Sequence, residues 1–351
     1  MSSCNDYGEN MMGENISDTG EFGLIKRIHD IIDKNASQGR KAYLGIGDDC
    51  ASFSPKEGYQ LLVTCDSVVE GRHYLPRHIS AYDLGRRAMA INISDIGAMG
   101  GVPVHSLVSL GLKGDMPTAY VEDLYMGFTE ELNPLGASII GGNITKSDNV
   151  FIDITLIGEV EEDLILKRST AKAGDAIIVT GFPGESAAGL KLLLNSESGD
   201  DTYNNALVRK YNRPAHRARE GRAVAMSGYA NCMIDMSDGF LGDLGHVCEQ
   251  SRVGAEIIRS KLPLSVELKK ASVVLNEDSY EMFLSESDDY ELIITCPPEN
   301  IDKIKKTILS VSDIPVSEVG RITEHKENIS LLLPDGVRRD LVSVGWDHFS
   351  K

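Results

Sequence analysis

Cysteine is scarce in this chain. Six are found among 351 residues, at positions 4, 50, 65, 232, 248 and 296, with no C-x-x-C pair and no Cys/His zinc spacing. That excludes a disulfide framework and the common structural zinc sites. Long apolar runs are missing too. The longest uncharged stretch, residues 96–112, is interrupted by Gly100, Gly101 and Pro103. It falls short of the ~20 apolar residues that a membrane span needs. The polar, acidic N-terminus (MSSCNDYGENMMGENISDTG) has no apolar core of a signal peptide, so the sequence predicts a cytoplasmic protein. Positive charge is in deficit: 35 Lys and Arg stand against 53 Asp and Glu, a net charge of −18. A nucleic-acid binder is excluded on that ground. A phosphate-handling enzyme is not, provided metal cations stand between the two sets of negative charge.

Hydrophobic residues make up 42%, enough for packed cores, and the length suits two domains. Residues 1–19 read as a disordered leader. Helical spacing of Phe22, Ile25, Ile28 and Ile32 predicts a first helix over 21–32. Strands are expected at 59–65, from 104 to 112 and at 150–160, and helices over 82–99 and 118–132. Residues 137–140 lead into a Gly-Gly turn. From about residue 172 a second unit follows. Its expected strands are 175–180, 232–234, 256–258, 290–296, 316–322 and 329–333. Its expected helices are 184–194, 213–227, 241–251 and 301–309. Strand and helix alternate without a strict βαβ rhythm, which predicts an α+β fold. No short-period repeat is present.

The informative residues are carboxylates embedded in apolar or glycine-rich sequence: Gly45-Ile-Gly-Asp48-Asp49, Thr64-Cys65-Asp66, Asn92-Ile-Ser94-Asp95, Asp235-Met-Ser237-Asp238-Gly239 and Ser287-Asp288-Asp289-Tyr290-Glu291. A buried carboxylate stays ionised only with a compensating partner. Few Lys or Arg flank these five segments, so a hard divalent cation is the expected shared partner. Mg²⁺ takes oxygen ligands and bridges carboxylates to phosphates. Each segment also has a structural reading: Gly-Asp-Asp as a turn, Asp238-Gly239 as a helix-capping pair. The argument for chemistry is joint. Two look-alikes fail. Gly45-x-Gly47-x-x-Cys50 lacks the third glycine of a dinucleotide fingerprint, and the segment from Gly141 to Ser147 has Thr145 where a P-loop has glycine.

Eight segments in order resemble the thiamine-monophosphate kinase family, within the superfamily of aminoimidazole ribotide synthetase and selenophosphate synthetase. They are GIGDDC, VTCDSVVEGRHYL, LGRRAMAINISDIGAMGGVP, IIGGNITKS, LKRSTAKAGD, VTGFPGESAAGL, IDMSDGFLGDL and SDDYEL, and the match runs from Gly20 to Phe349. The resemblance implies an N-terminal ATP/Mg-binding and dimerisation domain over 20–170, whose strands form an intersubunit β-barrel in a homodimer, and a C-terminal α/β domain over 171–351. It implies ATP-dependent phosphorylation of thiamine monophosphate to the diphosphate with several Mg²⁺ ions. By motif position, Asp49, Thr64, Cys65, Asp66, Asp95, Asn143, Asp235 and Asp238 look like the Mg²⁺ shell. Cys65 stands where the family more often has Thr, which points to a main-chain contact, and Asn143 where Asp is commoner. Asp49, Tyr125, Gly142, Asn143, Arg168 and Ser237 match ATP-binding positions. His73, Asp288 and Trp346 match substrate-binding positions, with Asp288 replacing the usual Glu. No general base is implied, because a phosphate oxygen is already anionic at neutral pH. Two other readings stay open at this point: a related ATP-using synthetase, and a non-catalytic binder of divalent cations.

Overall fold

The structure, a computed structural model, describes residues 14–35, 53–195, 206–326 and 328–341. The chain divides into two compact units, one holding residues 1–93 and 102–159, the other 94–101 and 160–351. No described helix is long and apolar enough to cross a membrane.

Along the first half of the chain, α1 (Ile16–Asn35), β1 (Tyr59–Val69), α2 (Ala81–Ala98), β2 (Val102–Leu112), α3 (Thr118–Leu132), β3 (Ser138–Lys146) and β4 (Phe151–Glu161) follow in order, the ends of α2 and β4 belonging to the second unit. α1 starts inside the stretch expected to be a disordered leader. Ile16 N–H bonds the Met116 carbonyl and Ser17 N–H that of Gly114, both at 3.0 Å. The helix breaks at Gly20 (φ 70°), just before the predicted start. Its buried line is Leu24, Ile28 and Ile32, with Ile25 only half-buried. The four described strands run in the order β1-β4-β2-β3. β2 lies between neighbours and buries both faces, as its near-continuous apolar sequence requires. β2 and β3 are parallel, β2 and β4 antiparallel. The expected Gly141-Gly142 turn is instead the middle of β3. A Cβ on Gly142 would overlap the Val108 carbonyl of β2, so glycine is needed for the strands to approach, not for a reversal.

The second unit is built from β5 (Ala176–Thr180), α4 (Glu185–Asn195), α5 (Ala206–Asn212), α6 (Ala218–Ser227), β6 (Cys232–Asp235), α7 (Phe240–Ser251), β7 (Gly254–Ile258), α8 (Val266–Leu275), α9 (Ser279–Leu284), β8 (Leu292–Cys296), α10 (Ile301–Leu309), β9 (Val316–Thr323), β10 (Ile329–Leu332) and β11 (Arg338–Leu341). Its described strands form one sheet, β11-β10-β7-β9-β5-β8-β6. Only β7–β10 is a parallel pair; the other pairs are antiparallel. This corrects the α/β expectation for the C-terminal half: the architecture is mixed and the whole chain is α+β. Both faces of the sheet are covered. On β5, Ile177 and Val179 enter one core with Phe240, Leu244 and Phe283, while Ile178 enters another with Val224, Ile304 and Ile308. The period-2 alternation of a strand assigns the two sets. Phe240 and Phe283 meet edge to face at 5.1 Å.

Candidate active-site segments

In the first unit, β1 carries Thr64, Cys65 and Asp66. Strand alternation puts Thr64 and Asp66 on one face, half-buried, and the exposed Cys65 on the other. The Cys65 thiol lies 3.5 Å from Asp153 Oδ1 and 3.6 Å from Thr155 Oγ1, both on β4. Any contact Cys65 makes on the Thr64/Asp66 side is therefore through its main chain. Ser67 Oγ also donates to Asp153, at 2.7 Å. Asp153 was not singled out in the sequence, since it sits in an ordinary alternating strand. Asp66 N–H donates to Asn92 Oδ1 at 3.2 Å, and Asn92 Nδ2 donates to the Ala88 carbonyl at 3.0 Å. The buried Asn92 of the Asn-Ile-Ser-Asp segment thus joins α2 to β1.

The turn after β1 orients His73. Val69 N–H donates to its Nδ1 at 3.0 Å, and His73 N–H donates back to the Val69 carbonyl at 2.9 Å. An Nδ1 that accepts must hold a lone pair, so this bond assigns the ring proton to Nε2. Glu70, the head of that turn, accepts from Lys113 Nζ at 2.7 Å and Val150 N–H at 2.9 Å. Gly142 and Asn143 stand exposed on β3. Tyr125 is in the core of this unit, 3% exposed and edge-on to Phe128 at 5.2 Å, which is a packing position. Burial drives its hydroxyl far above the usual tyrosine range.

In the second unit the acidic segments are tied together. Ser94 Oγ, at the last turn of α2, donates to Asp235 Oδ2 at 2.5 Å, and both are buried. Its neighbour Asp95 is half-buried, more open than the apolar pattern around it predicts. Asp235 closes β6. Beyond it, Met236 N–H bonds the Glu291 carbonyl at 2.8 Å and Tyr290 N–H bonds the Met236 carbonyl at 2.9 Å. Gly239 (φ 100°) completes the fit: a Cβ there would sit 2.5 Å from the Ser285 carbonyl. Segments 235–239 and 285–291 are thus held by main-chain geometry. Tyr290 adopts φ 53°, a conformation that costs on the order of 1 kcal/mol or more outside glycine.

Asp238 is half-buried and Ser237 exposed. Asp238 N–H donates to Asp243 Oδ2 at 3.0 Å, and ligand atoms of Asp238, Asp243 and His246 lie within 4.8 Å of one another. Asp243 and His246 were missed in the sequence, and an imidazole beside a cluster was not expected. The available signal was helical: both lie on the first turns of α7, on the side of Asp238. Burial, then the charge of Asp235, then that of Asp238 push Asp243 up to about 8. Crowded carboxylate oxygens of this kind suit a hard divalent cation, which would supply positive charge where burial withholds water.

Asp288 accepts from Ser186 Oγ at 2.6 Å, and Asp289 accepts from Gly184 and Ser186 N–H at 2.6 and 2.8 Å. Arg168 is exposed, with Nε bonded to Gln250 Oε1 at 3.2 Å. Asp49 and Trp346 lie outside the described residues.

The AIR synthase related protein family matches in both halves, its N-terminal domain over residues 47–160 and its C-terminal domain over 172–331. Thiamine-monophosphate kinase of Haemophilus influenzae is 36% identical over 341 residues, 95% of this chain and 98% of that protein. Among solved structures, thiamine-monophosphate kinase from Stenotrophomonas maltophilia superposes with a TM-score of 0.78 at 30% identity, covering 90% of this chain and 97% of that one. AaThiL complexed with AMPPCP and TMP superposes with a TM-score of 0.73 at 33% identity, over 97% and 100% of the two chains. The ordered acidic segments, the two matched domains and 36% identity along 95% of the chain together make it a member of the thiamine-monophosphate kinase family.

Proposed function

We propose that this protein transfers the γ-phosphoryl group of ATP to thiamine monophosphate, giving thiamine diphosphate and ADP. The observation that carries the reading is identity of 36% along 95% of the chain to a thiamine-monophosphate kinase. The complex of AaThiL with AMPPCP and TMP supports the same pair of ligands. A terminal phosphate oxygen of the monophosphate attacks the γ-phosphorus in line. The new P–O bond forms as the β–γ bridging bond breaks, and the electron pair leaves with ADP. No side chain need remove a proton, so the work is placement and charge neutralisation.

Asp49, Thr64, the Cys65 main chain, Asp66, Asp95, Asn143, Asp235 and Asp238 would hold Mg²⁺, which supplies that neutralisation when bound. The oxygen-rich set and the raised Asp243 fit a hard cation. Asp49, Gly142, Asn143, Arg168 and Ser237 are the nucleotide contacts of this reading; Tyr125 belongs to it only through packing. His73 presents its Nε2–H as a neutral donor to the substrate phosphate. Asp288 and Trp346 serve the thiamine moiety. A homodimer belongs to the same proposal. Val63 is 65% and Leu61 42% exposed on β1, which stands at the edge among the described strands, and the implied intersubunit barrel would cover them. The cytoplasm is the expected compartment.

Incubation with ATP, Mg²⁺ and thiamine monophosphate, followed by chromatographic and mass-spectrometric product identification, tests the reading. Stoichiometric thiamine diphosphate and ADP are expected. ATP hydrolysis to ADP and free phosphate, with the monophosphate unchanged, would sink it.

A further inference from the structure

Ser186 has no part in the acidic segments, yet it touches one of them. It is the second residue of α4 and is 1% exposed. Its hydroxyl donates to Asp288 Oδ1 at 2.6 Å across 102 residues of sequence. Its main-chain N–H meanwhile donates to Asp289 Oδ1 at 2.8 Å. The other Asp289 oxygen takes Gly184 N–H and Ser287 Oγ, both at 2.6 Å. Adjacent carboxylates therefore divide the start of α4 between them. Asp289, wholly occupied by three donors, fastens the segment to the helix. Asp288, half-buried, accepts this hydroxyl at one oxygen. Ser186 also lines a small cavity, with Phe182, Lys210, Pro214, Arg217 and Asp289, whose volume of about 10 Å³ has room for about one water. That space is too small for either substrate, so the hydroxyl acts through its bond to Asp288.

We propose that Ser186 is a positioning residue for substrate recognition: its hydroxyl fixes the Asp288 carboxylate in the orientation that meets thiamine monophosphate. The inference rests on the kinase reading and on Asp288 facing the substrate. A short O–H···O⁻ bond is directional, and a carboxylate that loses it is held less closely in the orientation that binds. The effect falls on binding of one substrate and not on the transferring phosphoryl group.

The test is a double-mutant cycle of Ser186→Ala and Asp288→Asn in the full-length protein, with each substrate varied in turn and thermal melting as a folding check. Ser186→Ala is expected to raise the KM for thiamine monophosphate about five- to ten-fold, leaving the KM for ATP and kcat within about two-fold. On the Asp288→Asn background the same change should add less than about two-fold, because its target is gone. Ser186→Cys, of similar size but a weak donor, should fall between Ser and Ala, and it replaces Ala in the cycle if Ala does not fold. An unchanged KM in the folded Ser186 variant overturns the proposal. So does a Ser186 effect that persists undiminished on Asp288→Asn. If Asp288→Asn alone leaves the KM for thiamine monophosphate unchanged, Asp288 is not the substrate contact and the proposal falls with that assignment. The kinase reading itself fails only if the parent protein makes no thiamine diphosphate.

Discussion

Two carboxylates of the second unit are equally buried and differently kept. Glu291, 3% exposed, is closed in on itself: Arg217 Nε reaches it at 2.7 Å, a second guanidinium nitrogen pairs its other oxygen, and Thr180 Oγ1 donates at 2.6 Å. Despite burial, the Arg217 charge and these bonds hold it below the usual carboxylate range. Asp243, 2% exposed, has neighbours of its own sign, and it is pushed up to about 8. Neutralisation by the protein marks a structural charge. Neutralisation left to a proton or an incoming ion marks a group available for chemistry.

The comparison breaks most visibly where the ion is expected. Asp235→Asn or Asp238→Asn should lower kcat by on the order of a thousand-fold, about 4 kcal/mol of transition-state stabilisation, while the melting temperature holds or rises because like charges are relieved. Steady-state assays beside thermal melts read both. A folded variant with near-parental turnover would remove these residues from the metal shell.

Next comes the paired side. Arg217→Met leaves Glu291 buried without its cation and should cost about 3–5 kcal/mol, read as a loss of denaturant midpoint. The pH dependence should change sign. In the parent, the folded pKa of Glu291 is depressed, so its contribution is present above the ordinary carboxylate value and is lost as pH falls through the depressed one. In the variant the folded pKa is raised, and acidification toward that region should recover stability. Parallel stability curves from pH 3 to 7 would refute the assignment of Glu291.

A gentler probe is the ion itself. Mg²⁺ at about a hundred times its dissociation constant should stabilise the protein by about 2.7 kcal/mol, and the shift should shrink in Asp238→Asn. Calorimetric titration and melting with and without chelator measure it. Smallest of the four, His73→Ala should raise the KM for thiamine monophosphate by about ten-fold, or about 1.4 kcal/mol, with the KM for ATP nearly unchanged. The reverse pattern would move His73 to the nucleotide.

Much of this was legible in the sequence because it is local. Periodicity located α3 and α10 at their observed limits, and the acidic segments were conspicuous as charges among apolar neighbours. Errors arose where a residue's reason lies elsewhere in the chain. Gly141-Gly142 looks like a turn until the Val108 carbonyl is placed against it. Residues 213–227 read as a helix, but with Pro214 near its start the helix begins only at Ala218, and α5 (Ala206–Asn212) before it was not expected. Helix α8, which no expectation covered, is announced by Ser265, whose Oγ accepts from Leu268 N–H at 3.0 Å. The fit between Ser186 and Asp288 spans 102 residues, and no local pattern encodes it.

The main-chain stitching of segments 235–239 and 285–291 has a practical corollary. Because amide and carbonyl groups carry the register between these turns, exchanging the half-buried Asp238 side chain for another does not unpick the frame, whereas the Asp289 and Glu291 carboxylates are part of it. The site behaves as a rigid rack with interchangeable fittings. Such a rack lets ion preference and substrate fit drift by single substitutions while the scaffold stays put, so new selectivity can be explored there without first jeopardising the fold.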